Sequence, residues 1–168
     1  LNDGAWARLD PCEHLEINIE IAFDDLAIGN QTLTYRHSDG SFAAELACAR
    51  TFCQLRDVEL MKNAGLALGG TLDNAVVVDD GKILNDGGLR MEREFVRHKT
   101  LDCLGDLLLL GLPVKGKMTA YRPGHALNTH LVQTLLNDPS AFKIVEAGTI
   151  QSRSDGYVLP ELAAAATA

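Results

Sequence analysis

The chain has 168 residues, 46% of them hydrophobic and 23% charged, and its 23 acidic against 15 basic side chains give a formal charge of −8. That size fits one ordinary soluble domain or two very small ones, and the longest unbroken apolar run, around Leu107 to Leu110, falls far short of the ~20 residues a membrane-crossing helix needs. The acidic balance argues against nucleic acid as a partner, because a sequence-independent grip on phosphates is built from clustered Lys and Arg; an anionic ligand needs a local basic pocket.

The N-terminus, Leu1-Asn2-Asp3-Gly4, has no Met, no basic segment and no apolar segment. It reads as neither a signal peptide nor a translation start, and the chain reads as a piece of a longer one. Cys12, Cys48, Cys53 and Cys103 form no C-x-x-C pair and are too sparse for a disulfide framework, which suits a reduced, cytoplasmic setting.

Leu15, Ile17, Ile19, Ile21 and Phe23 alternate with Glu16, Asn18 and Glu20, and period two over nine residues predicts a half-buried strand. Gln31 to Arg36 reads as a second strand, antiparallel to the first. Ser38-Asp39-Gly40 is a helix-start signal, and Phe42, Leu46 and Ala49 recur at helical spacing, predicting a helix over about 40–49. Leu55 to Asn63 reads as a short helix with Gly65 at its C-cap. The β-branched run Ala75 to Val78, then Asp80-Gly81, then Lys82-Ile83-Leu84 predicts a hairpin, and Asn85 to Gly88 a turn.

From about Glu92 to Leu110 the chain is apolar on most sides, which predicts a buried helix. Lys117 to Tyr121 reads as a strand, and Leu127, Leu131 and Leu135 place a last amphipathic helix over 124–136. The tail from Gln151 shows no period and reads as partly disordered. The predicted fold class is α+β: a two-layer α/β sandwich whose mixed, mostly antiparallel sheet carries helices on one face, with a small βαβ-like insertion.

His98, Asp102 and Asp106 stand four residues apart within the long helix, so their side chains share one face. Two carboxylates one turn apart repel, and burying them without compensation is costly. His98 and Asp102 suit a pair of zinc ligands, with Asp106 placed to orient a neighbour; the plainer alternative is a hydrated helix face. His125 opens the last helix, where the helix-end dipole and an imidazole suit oxyanion stabilisation and proton transfer; the alternative is a surface or capping histidine. Lys99 and Arg122 are the basic residues nearest these motifs and either supply an anion pocket or are simply solvated. His14, His37 and His130 read as surface residues.

Four segments, ARTF at 49–52, GLALGGTLDNA at 65–75, EFVRHKTLDCLGD at 94–106 and TAYRPGHALN at 119–128, resemble the UDP-3-O-acyl-N-acetylglucosamine deacetylases, zinc amidases of lipid A synthesis. The four motifs stand in the family's order at compatible spacing, from about residue 3 to about residue 137.

The resemblance implies two tandem domains with the active site between them, this chain being the second over 1–150, with residues 151–168 as a tail and the first domain absent. It also implies that Zn2+ is held by His98 and Asp102, with a third histidine and a general-base glutamate supplied by the missing N-terminal domain. Asp106 then pairs with His125 as the general acid, and Thr51 lies near the reacting centre. Lys99 and Arg122 reach the diphosphate of a UDP-linked acylated amino sugar. Phe52 and the insertion, taken as 53–84, wall an acyl passage lined by Leu55, Val58, Ala67 and Leu68. Gln54 stands where the family often has an aromatic residue, and Arg122 where a Lys is common. A reading of another class is a non-catalytic domain that binds the acyl chain or serves as a structural module.

Overall fold

The computed structural model describes residues 4–65 and 67–146. The tail from Gln151 lies outside the described residues. Two small sheets and four α-helices form an α+β sandwich, as the pattern predicts. The larger sheet has the order β1-β7-β2-β3, from strands β1 (Trp6–Asp10), β2 (Glu16–Ala22), β3 (Asn30–Arg36) and β7 (Lys117–Tyr121). β1 with β7 and β2 with β3 are antiparallel, while β2 with β7 is parallel. The alternation of β2 does what period two requires: Ile17, Ile19 and Ile21 are buried beneath the helices, and Asn18 and Glu20 turn to the open face.

α3 (Glu94–Leu107) and α4 (His125–Leu136) cover that buried face and pack on each other. The core gathers Ile17, Ile19, Ile21, Leu33, Phe95, Cys103 and Met118. The apolar run does not stay buried to its end. α3 passes into a 3-10 turn at Leu108–Leu110, where Leu108 is 68% and Leu109 61% exposed.

The insertion is a βαβ unit: β4 (Thr51–Gln54), α2 (Leu55–Asn63) and β5 (Ala75–Asp79), with β4 parallel to β5 and β6 (Lys82–Ile83) antiparallel beyond it. Its first strand begins at Thr51. Asp80 (φ 45°) and Gly81 (φ 75°) form the β5–β6 turn; positive φ at both central residues is what a two-residue turn on right-twisted strands demands. Gly65 (φ 72°) follows the end of α2 in the left-handed region, as a C-terminal glycine should.

The helix predicted over 40–49 closes early. α1 covers Ser41–Glu45 only, because the Ala47 N–H reaches back to the Phe42 carbonyl and the Ala49 N–H to that of Leu46. Leu46 and Ala49 are buried all the same; the chain satisfies the apolar spacing with a tight turn and delivers residues 49–51 to the side of α3.

Candidate functional site

α3 sets the geometry. His98 and Asp102 are half-buried, with His98 Nε2 3.4 Å from Asp102 Oδ1. The other ring nitrogen, Nδ1, lies 3.3 Å from the Ala49 carbonyl oxygen. A carbonyl only accepts, so this contact puts the proton on Nδ1 and leaves the Nε2 lone pair turned toward Asp102. Burial pushes the His98 pKa down against the pull of Asp102, which favours the neutral imidazole that can donate to a metal. Lys99 Nζ donates to Asp102 Oδ2 at 2.9 Å. Its ammonium sits at this centre, where it offsets the Asp102 charge.

One turn further along α3, Asp106 accepts from His125 Nδ1 at 2.9 Å. That places His125 Nε2 4.0 Å from Asp102 Oδ1, so both imidazoles present Nε2 to the same carboxylate oxygen. His125 is the first residue of α4 and its side chain is 70% exposed. The approach to it is strained. Arg122 has φ 51°, a left-handed backbone rare for a side chain of its size, and its N–H donates to the Glu20 carbonyl at 2.8 Å. The buried Pro123 follows and α4 then starts from an extended Gly124.

Thr51 is exposed at the head of β4, two residues beyond the carbonyl that holds His98. Phe52 is packed edge-on against Phe95 at 5.0 Å, against Phe23 at 5.5 Å and against the His98 ring at 6.1 Å, so it backs the histidine from the margin of the core. Leu55 and Ala67 are exposed, Leu68 is 76% exposed, and Val58 is intermediate on a helix that buries none of its residues.

Some polar partners carried no sequence signal. Asn128 Nδ2 donates to Asp106 Oδ2 at 2.8 Å and contacts Cys103 Sγ at 3.6 Å; burial pushes the Cys103 thiol up to about 12, so it is an inert neighbour. Arg50 and Glu94 form a buried ion pair at 2.8 Å. His37, read as an isolated surface residue, shares a hydrogen bond with Tyr35 Oη at 2.9 Å.

Whether these side chains suit a zinc ion can be judged on the donors. A neutral imidazole nitrogen with its tautomer fixed and a carboxylate oxygen converge within 3.4 Å, which is ligand chemistry that zinc accepts. Among the described residues no group of three His, Cys, Asp or Glu side chains is placed to hold a metal ion. His98 and Asp102 thus offer two donors of types that zinc accepts.

A mixed-sheet α+β domain presenting two histidine–carboxylate pairs at one point has the donor types that metal-assisted hydrolysis uses. The family model described as LpxC, UDP-3-O-acyl N-acetylglycosamine deacetylase, matches residues 1–137, and the chain belongs to that family. It is 50% identical over 145 residues to the UDP-3-O-acyl-N-acetylglucosamine deacetylase of Psychrobacter arcticus, covering 85% of this chain and 45% of the relative. The Myxococcus xanthus protein of the same name is 51% identical over 141 residues, 84% of this chain and 45% of the relative. That of a Nitratiruptor species is 46% identical over 160 residues, 95% and 53% respectively. The chain thus spans about half the length of the curated relatives it matches. No helix among the described residues is long and apolar enough to cross a membrane.

Proposed function

We propose that this chain supplies the second half of the active site of a zinc-dependent, cytoplasmic deacetylase that hydrolyses the acetamide of UDP-3-O-acyl-N-acetylglucosamine in lipid A synthesis. The observation that carries the reading is the convergence of His98 Nε2 and His125 Nε2 on Asp102 Oδ1. His98 and Asp102 would hold the ion, with a third ligand and a general base supplied by a first domain. A zinc ion bound there supplies Lewis acidity to the amide carbonyl and lowers the pKa of its water. Asp106 keeps the His125 proton on Nδ1 in the resting state and steadies the ring. With a second proton on Nε2, His125 is the donor to the leaving amine. Thr51 stands beside the tetrahedral centre, and Lys99 and Arg122 attract the anionic end of the substrate. The exposed Leu55 and Leu68, with Val58 and Ala67, offer apolar surface to the acyl chain. Four free cysteines are in keeping with a reducing compartment.

Zinc content measured on the purified chain and on His98→Ala tests the ligand assignment. Substoichiometric zinc that disappears in the variant is the expected result, and equal zinc in both removes the assignment. With two ligands in place of three, the 168 residues alone should give no measurable deacetylation. Robust turnover by the isolated chain would show that it holds a complete site by itself.

A further inference from the structure

The Arg50–Glu94 pair takes no part in that chemistry, yet it is among the most buried polar features of the chain, with Arg50 8% and Glu94 0% exposed. Arg50 Nε donates to Glu94 Oε1 at 2.8 Å and Nη2 to Oε2 at 3.1 Å. The Arg90 N–H adds a bond to Oε2 at 2.7 Å, and Arg50 Nη2 also reaches the Gly88 carbonyl at 2.9 Å. The carboxylate accepts as well from the backbone N–H of Arg50, at 2.9 Å. A buried ion pair is weak evidence of a stabilising role, since apolar residues of similar volume often do as well. Its position suggests another use.

The Arg50 N–H belongs to the same peptide unit as the Ala49 carbonyl, and that carbonyl holds His98 Nδ1. A peptide unit is rigid and planar. Glu94 and His98 are one helical turn apart on α3, so the plane spans the two side chains, its N–H fixed by one and its C=O aimed at the other.

We propose that Glu94, acting through Arg50 and the Ala49–Arg50 peptide plane, is a positioning residue that sets the tautomer and ring angle of His98. The proposal rests on the reading of His98 as a metal ligand. Glu94→Gln keeps one acceptor oxygen but turns an amide donor toward N–H groups and removes the charge, so the plane's anchor is weakened while side-chain volume is kept. Arg50→Lys keeps the backbone N–H and the charge but not the fork.

The test uses a full-length protein that carries these 168 residues, with three readouts: ring 15N shifts of His98, assigned by their loss in His98→Ala; Zn2+ affinity by competition with a chelator; and kcat and KM for deacetylation. Glu94→Gln should leave the far-UV spectrum native and move His98 from a single Nδ1–H form toward tautomer exchange. It should also weaken Zn2+ binding by about tenfold to a hundredfold and lower kcat with KM within about twofold, while Arg50→Lys falls between it and the wild type. A lower melting temperature with wild-type His98 shifts and Zn2+ affinity would overturn the proposal, leaving the pair as a fastener between α3 and the residue that leads into β4. Should Glu94→Gln fail to fold, Arg50→Lys carries the same readouts. If the wild type binds no Zn2+, the ligand reading fails, and the tautomer readout still decides the positioning role.

Discussion

Asp106 accepts from His125 Nδ1 at 2.9 Å and from Asn128 Nδ2 at 2.8 Å, so its carboxylate cannot rotate toward one partner without losing the other. Asn128 is 2% exposed and its Oδ1 is buried with no hydrogen-bond partner among the described residues, an arrangement that costs stability. Its value lies in the Nδ2 contact. Truncation by Asn128→Ala should lower kcat of the full-length protein by about tenfold with KM unchanged, in line with the loss of a residue that orients a functional side chain. It should also cost about 1 kcal/mol of stability, read as a shift in the unfolding midpoint. An unchanged kcat with a lowered midpoint would reduce Asn128 to a packing residue between α3 and α4. The His98, Asp102 and Asp106 face was legible from spacing four along one helix. Arg50, Glu94 and Asn128 were not, because their partners lie 44 residues away in one case and 22 to 25 in the other, and one sequence carries no signal for pairings at that range.

Elements were legible in proportion to the length of their pattern. The sequence around β2 alternates over nine positions, 15–23, and α2 runs over the predicted 55–63, whereas β1 turns only Ala7 and Leu9 inward and β4 is a four-residue TFCQ that takes its identity from a parallel neighbour. A strand defined by its partner has too little periodicity of its own to be read. The β5–β6 turn was legible because Asp-Gly has one favoured use between β-branched runs. Gly81 sits at φ 75°, and a Cβ added there would meet the Leu26 Cβ at 3.4 Å. The added carbon fits the space and the strain is in the backbone, so Gly81→Ala should destabilise by roughly 1–2 kcal/mol, the cost of a left-handed L-residue. Urea midpoints measure this, and a Gly81→Ala midpoint at or above wild type would show that the turn relaxes to another type.

Across the whole molecule the larger sheet is tied at one end by a single acid. Glu16, the first residue of β2, accepts from Arg36 Nε on β3 and from Lys117 Nζ on β7, each at 2.8 Å. The Lys117 and Arg36 bonds hold its carboxyl down at about 2. Folding therefore competes with protonation in a defined window. An unfolded Glu titrates near 4.3, so between there and about 2 the unfolded chain binds a proton that the native one refuses, and stability drains away as pH falls. Above that window the contribution is fully present, and below it the contribution is gone. Glu16→Gln removes the titration but keeps the shape. It should be less stable than wild type at pH 7, lose less on acidification, and converge with wild type near pH 2. Both bases are partly exposed, so salt should narrow the gap at pH 7. Urea unfolding followed by circular dichroism at pH 7, 4 and 2.5 reads all three, and a gap of constant size across that range would mean that Glu16 contributes by packing and not by charge.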